Sequence, residues 1–156
     1  MIREITADEL KDCHLVITES FSDIMTQLNI TRENCSGFSG FLRYEKLLSQ
    51  INKGLKLYGF YDPDLVGCIG VLKKSSTRYQ VKYLCVKSDY RHQGIGRILI
   101  DYVENIAQGK IQLGMIYENT VLLNWYQSLG YEIDKITPYK SRVFNIAFME
   151  KKIEKL

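Results

Sequence analysis

The chain is poor in metal-binding side chains. It has two histidines, His14 and His92, and its four cysteines, Cys13, Cys35, Cys68 and Cys85, stand far apart with no CxxC spacing. No zinc or other metal site is expected, and the cysteines read as reduced, mostly buried thiols of a cytoplasmic protein. The longest apolar stretch, "LVGCIGVL", is far too short to cross a bilayer. The opening residues "MIREITADEL" carry Arg3 and Glu4 and no apolar core, so no secretory leader is expected. Low-complexity tracts and long-period repeats are missing as well.

What remains is an ordinary globular composition, 46% hydrophobic and 25% charged over 156 residues. That is enough to bury one core without staples, and residues 1–156 read as a single domain. The net charge of +3 suits a small anionic ligand. It falls short of a dedicated nucleic-acid binder, so neither nucleic acid nor a membrane is expected as a partner.

Residues 2–6 alternate weakly, as a short strand does. The segment 7–28 predicts a helix with Leu10, His14, Ile17, Phe21 and Ile24 on its buried face, followed by a loop at 29–41. A second helix spans 42–54 and stops at Gly54. Strands are expected at 55–61 and 65–74, joined across Asp62-Pro63-Asp64, and again at 79–87. Ile95, Ile98, Leu99, Tyr102, Val103 and Ile106 then make one apolar helical stripe, closed by Gly109.

A strand at 110–117, a short helix at 118–130 and strands at 131–136 and 142–152 complete the order β-α-α-β-β-β-α-β-α-β-β. Strand, helix and strand from Tyr79 to Tyr117 form a crossover unit, so those two strands should be parallel, while the hairpins on either side are antiparallel. The expected fold class is α/β (α+β), with a mixed, mostly antiparallel sheet of about seven strands and helices on both faces.

In the stretch "YRHQGIGRIL", Gly94 and Gly96 sit one residue apart at the mouth of that helix, between basic residues. A turn alone needs one glycine; two suggest an anion lying against bare main chain. A Walker A loop would need lysine and then Ser or Thr after the second glycine, where this chain has Arg97-Ile98. A dinucleotide turn would need a small residue where Leu99 stands, and its first glycine directly behind the strand rather than well beyond Val86.

Arg-x-x-Gly-x-Gly within "VKSDYRHQGIGRILI", between a strand and an amphipathic helix, resembles the acetyl-CoA signature of the GCN5-related N-acetyltransferase (GNAT) family. "NTVLLNWYQSLGY" is similar to that family's second signature, with Asn119, Tyr126, Gly130 and Tyr131 in register. The order of elements matches the family over nearly the whole chain.

The resemblance implies acetyl-CoA as co-substrate. Its phosphates would lie against the helix start formed by Arg91, His92, Gln93, Gly94, Ile95, Gly96 and Arg97, where amides and basic side chains supply donors and positive charge. Leu84 and Val86 would offer main-chain contacts to the pantetheine arm, which lies like an added strand. Asn119 would cap its helix and touch the cofactor. Tyr126 would contact the cofactor and serve as the catalytic acid toward the departing thiolate.

Two positions depart from the family pattern. Leu122 replaces a usual alanine, and Tyr83 stands where many members carry a glutamate that acts as base. An acceptor amine of pKa near ~10 needs a base or a desolvating pocket at neutral pH, whereas a thiol of pKa about 8.5 leaves readily. Glu118, Glu33, Tyr83 and solvent remain the candidates for base. Amides of the 84–86 strand are the natural donors to the oxyanion.

The acceptor pocket is expected from the segments outside these motifs: the loop 29–40, the hairpin 58–64 and the connection 137–142. They carry Phe38, Phe41, Tyr58, Tyr61 and Tyr139, with Glu33, Asp62 and Asp64, a set that suits a small amine over an aromatic floor with a carboxylate rim. The implied activity is N-acetyl transfer from acetyl-CoA to a primary amine of a small-molecule or protein acceptor, by direct attack in a ternary complex. A monomer or a homodimer would serve. A non-catalytic acyl-CoA-binding sensor or scaffold is the alternative, which the missing glutamate leaves open.

Overall fold

The computed structural model describes residues 1–153. Its strands are β1 (Ile2–Glu4), β2 (Lys56–Tyr61), β3 (Leu65–Ser75), β4 (Arg78–Val86), β5 (Gly109–Ile116), β6 (Glu132–Pro138) and β7 (Asn145–Ile153). They form one sheet in the order β1-β2-β3-β4-β5-β7-β6. Only β4 and β5 run parallel; every other neighbouring pair is antiparallel. The helices are α1 (Leu10–Ser20), α2 (Ser22–Leu28), α3 (Tyr44–Asn52), α4 (Ile95–Ile106) and α5 (Thr120–Ser128).

Alternating strand residues feed two cores, one on each face of the sheet. Val66, Val81, Ile111 and Met149 pack with Leu99, Ile100 and Val103 of α4 and Leu123 of α5. Leu57, Leu65 and Cys68 point the other way, against Cys13 and Ile17 of α1 and Leu47 of α3. All four cysteines are buried free thiols.

Beyond shifts of a few residues at the ends of elements, two features differ from the sequence reading. The helix expected over 7–28 opens with a 3-10 turn at Ala7–Glu9 and is interrupted at Phe21, giving two α-helices. Its buried residues are Cys13, Val16, Ile17 and Ser20, a face rotated from the expected one because a cysteine and a serine take core positions that a hydrophobic count gives to larger residues. Gly109 does not close α4: Ala107 is the C-cap, in an extended conformation, and Gly109 begins β5.

Gly109 has a more local duty. With φ +81 it lies in the left-handed region, and a Cβ there would sit 2.0 Å from the carbonyl oxygen of Thr77. That tight approach lets the Lys110 amide donate to the same oxygen at 2.9 Å, starting the β4–β5 pairing. The pairing is brief. Arg78, Tyr79 and Gln80 face Lys110, Ile111 and Gln112, and there it ends. Beyond it, Ile69 of β3 alone opposes Tyr83 and Leu84, a bulge in which Tyr83 adopts φ +59. A bulge bends and twists its strand, so β4 swings away from β5 and the sheet opens.

Candidate active site

The opening is a cleft of about 270 Å³ whose floor is the diverging edges of β4 (Val81–Leu84) and β5 (Leu113–Ile116). Lys87 donates its amide to Val66 on β3. Amides alternate along a strand, so those of Leu84 and Val86 point the other way, into the gap. Their side chains pack on the α4–α5 core. Main chain, rather than side chain, is what these two residues offer to the cleft.

At the open end lies the glycine turn. Gly94 is the N-cap of α4 with φ +82, a conformation costly for any residue with a Cβ. Ile98 makes the first bond of the helix ladder, to Gly94. The amides of Gly94, Ile95, Gly96 and Arg97 therefore precede every intrahelical acceptor, and among the described residues no side chain caps them. A Cβ on Gly94 would meet nothing within 4 Å, and one on Gly96 would come only to 3.6 Å from the Trp125 ring. Packing within the protein does not require either glycine to be small; the space above them is free for a ligand. His92 and Gln93 are exposed beside it, and His92 also has a left-handed backbone, φ +62. The Ile95 side chain is buried, leaving only its amide to offer.

The arginines of the motif differ. Arg97 is exposed and pairs with Asp101 at 3.0 Å, a bond on the helix surface that an incoming anion can displace. Arg91 is committed to the protein. Its Nε donates to the Val86 carbonyl at 2.9 Å, and its two terminal nitrogens donate to Asp23 and to the Ser20 carbonyl. The Arg91 guanidinium thus ties the turn to the α1–α2 junction instead of standing free as a phosphate fork. Burial pushes the Asp23 carboxyl up, but the bond and charge of Arg91 outweigh this and hold it below its ordinary range.

Asn119 caps α5, its side-chain oxygen accepting from the Leu122 amide at 3.3 Å, and both residues line the cleft. Tyr126, one helical turn further along α5, is buried and also lines it. Its ring packs edge-on between Trp125 and Tyr131. Among the described residues its hydroxyl has no hydrogen-bond partner. Burial, with a contribution from the Cys85 thiol, pushes this phenol well above its ordinary pKa, so it holds its proton at neutral pH.

The candidate bases are elsewhere engaged. Glu118 accepts from the backbone and side-chain nitrogens of Asn145 at 2.8 and 3.0 Å. Tyr83 donates to Gln50 at 2.6 Å, and burial raises its pKa. Glu33 is exposed, away from the cleft lining. Among the described residues no aspartate or glutamate lines the cleft.

The far wall comes from Phe21, Ile24 and Leu28 of the α1–α2 segment, Phe38 of the following loop, Tyr139 and Ile146. Three polar contacts fasten it. The Gly37 amide donates to the Tyr139 hydroxyl at 2.9 Å, the Ser36 hydroxyl lies 3.4 Å from the same oxygen, and the Ser141 hydroxyl donates to the Asn34 carbonyl. Beneath them Ile30, Cys35, Ile116 and Phe144 form a small buried cluster. Of the acceptor residues expected from sequence, Phe38 and Tyr139 reach the cleft. The hairpin does not: Tyr61 and Asp64 face a separate cavity of about 420 Å³ with Arg3 and Glu9, and Tyr58 packs on Tyr102. Sequence reasoning missed Ile24, Leu28, Ile116 and Ile146, whose only signal is hydrophobic periodicity, the same signal a core residue gives.

The seven-stranded sheet is thus split between its two parallel neighbours, and a left-handed glycine opens α4. The sequence model of the acetyltransferase (GNAT) domain matches residues 55–133, and the chain belongs to that family. Solved structures share the fold across its length. An aminoglycoside 6'-N-acetyltransferase complexed with coenzyme A is 19% identical over 100% of this chain and 98% of its own, with a TM-score of 0.72. The PaiA N-acetyltransferase of Thermoplasma acidophilum, in complex with coenzyme A, is 22% identical over 97% and 98%, at a TM-score of 0.78. The ribosomal-protein-S18-alanine N-acetyltransferase of Escherichia coli is 14% identical over 100% and 95%, also at 0.78. The protein is accordingly an acetyltransferase of the acetyl-CoA-dependent type. Among the described residues no helix is long and apolar enough to cross a membrane.

Proposed function

We propose that the protein is an N-acetyltransferase that moves the acetyl group of acetyl-CoA to a primary amine by direct attack within a ternary complex. The observation that carries this reading is the split between β4 and β5, lined by Asn119 and by Tyr126, whose hydroxyl has no partner among the described residues, with the bare amides of the glycine turn beside Val86 at the end of β4. The residues present fit coenzyme A. The amides of Gly94 to Arg97, with His92, Gln93 and Arg97 beside them, would hold the phosphates. The gap-facing main chain of Leu84 and Val86 would bond the pantetheine arm as a neighbouring strand does, and Asn119 would close it from α5.

The amides of Leu84 and Val86 would stabilise charge developing on the thioester oxygen. Tyr126, protonated, would donate to the departing sulfur. Arg91 acts from behind, fixing the turn against α2. This arrangement would act in a single domain of 156 residues, as a monomer or homodimer, in the cytoplasm. Four buried thiols and a net charge of +3 accord with that setting, and with neither nucleic acid nor membrane as partner.

The test is calorimetric titration of acetyl-CoA, followed by thiol release in the presence of amines. Micromolar binding with amine-dependent thiol release, and an intersecting initial-rate pattern, is the expected result. Binding without release from any amine would identify a sensor or scaffold instead. Absence of binding by the folded protein would remove both readings.

A further inference from the structure

We infer that the acceptor is a monoamine whose amino group is carried on an apolar, aromatic-sized group, either as a free amine or as the N-terminal residue of a peptide, and that polycationic amines are excluded. This rests on the reading of the cleft as the acetyl-transfer site.

The wall opposite α5 presents Phe21, Ile24, Leu28, Phe38 and Ile146 to the cleft, and among the described residues no carboxylate joins them. The charge that is present has the wrong sign for a polycation. Lys82 lines the cleft, and Lys140 follows Tyr139 in the strap that closes it. Each further ammonium on an acceptor would be buried without a counter-ion and beside like charge, a placement that proteins avoid. The apolar wall suits a ring or a branched aliphatic group instead.

The same surroundings account for the missing base. An ammonium taken into an apolar, carboxylate-free cleft loses hydration without gaining a partner, so its pKa falls and its proton passes to solvent on entry. The neutral nitrogen then forms the C–N bond to the acetyl carbon as the C–S bond breaks. The sulfur takes the Tyr126 proton as it leaves and becomes the free thiol, and the nitrogen's surplus proton passes to the Tyr126 oxygen. Desolvation does the work that a glutamate at the position of Tyr83 does in other members of the family.

The experiment compares kcat/KM for phenethylamine, for a peptide amide with N-terminal phenylalanine, and for spermidine and kanamycin, with acetyl-CoA saturating. An advantage of at least about tenfold for one of the first two is expected. Whichever of the two wins tells a free amine from a peptide terminus. The pH profile is the second readout. kcat/KM should rise with pH up to the acceptor's own solution pKa and should move with that pKa when benzylamine replaces phenethylamine. Phe38→Ala should raise KM for the aromatic amine several-fold and leave the Kd of acetyl-CoA unchanged.

Preference for spermidine or kanamycin, or an inflection at one pH shared by every amine, would overturn the inference and leave the transferase reading standing. Failure of the transferase reading looks different: acetyl-CoA binds and no amine of any kind releases thiol.

Discussion

The two walls of the cleft are made of different material. On the α4–α5 side the polar groups are few and mostly main chain: the strand edge at Leu84, the Asn119 cap and the Tyr126 hydroxyl beside Leu122, with the bare amides of Gly94 to Arg97 beyond Val86. On the α1–α2 side it is side chains: Phe21, Ile24, Leu28, Phe38 and Ile146, drawn from segments far apart in the chain. Amides recognise phosphate and amide groups whatever the neighbouring residues are, so a wall of this kind can serve one ligand across a family. A wall of side chains changes with every substitution and can serve a different ligand in each member. The Arg91–Asp23 pair spans the two, joining the glycine turn to α2.

The sharpest break in this contrast is Gly94→Glu/Gly96→Glu. A side chain at 94 strains the left-handed cap, and the two carboxylates repel phosphate. Acetyl-CoA affinity should fall by about a hundredfold or more, measured by calorimetry, with the far wall untouched. Tyr126→Phe comes next. Acetyl-CoA should bind as before while kcat drops by roughly ten- to a hundredfold, the range for loss of a positioned proton donor. An unchanged kcat would return Tyr126 to a purely packing role.

Tyr139→Phe acts on the other wall. It removes the acceptor of the Gly37 amide, a loss of about 1 kcal/mol, and should lower Tm by about 2–4 °C. KM for the amine should rise with no change in acetyl-CoA affinity. The smallest effect concerns the pair between the walls. Asp23 has a depressed pKa in the folded state, so its contribution to stability is complete above its ordinary value near ~3.9 and is lost as pH falls through the lower folded value. Urea midpoints taken from pH 5 to 2 should show a steeper acid loss for the wild type than for Asp23→Asn. Equal slopes would mean that the partly exposed pair contributes nothing measurable.

The contrast also explains what was legible in the sequence. A main-chain site leaves a trace because bare backbone demands glycine at fixed spacing, and a helix cap demands a residue such as Asn119; hence the glycine turn and the α5 cap stood out. The order of strands and helices from 44 onward followed from periodicity and turn residues in the same way. Ile24 and Ile146 left no such trace, since an isoleucine facing a ligand and one facing a core carry the same pattern. The bonds that Arg91 makes within the protein were not legible for a related reason. The motif records that an arginine is present, but its partners Asp23 and Ser20 lie about seventy residues away, and only folding brings them close. The hairpin acids failed as a rim because composition placed them in a loop, and the topology sets that loop beside β1, away from the split.

The short pairing of β4 with β5 has a mechanical consequence. Four strands on one side and three on the other are joined by only three residue pairs, so the sheet is a pair of leaves hung on a short hinge. A guest bonded along the inner edge of a leaf acts as the missing strand and closes the seam. Amides at 84 and 86 should then exchange slowly with deuterium when acetyl-CoA is present and quickly when it is not. The melting temperature should climb with acetyl-CoA concentration, making the protein's own durability a gauge of cofactor supply.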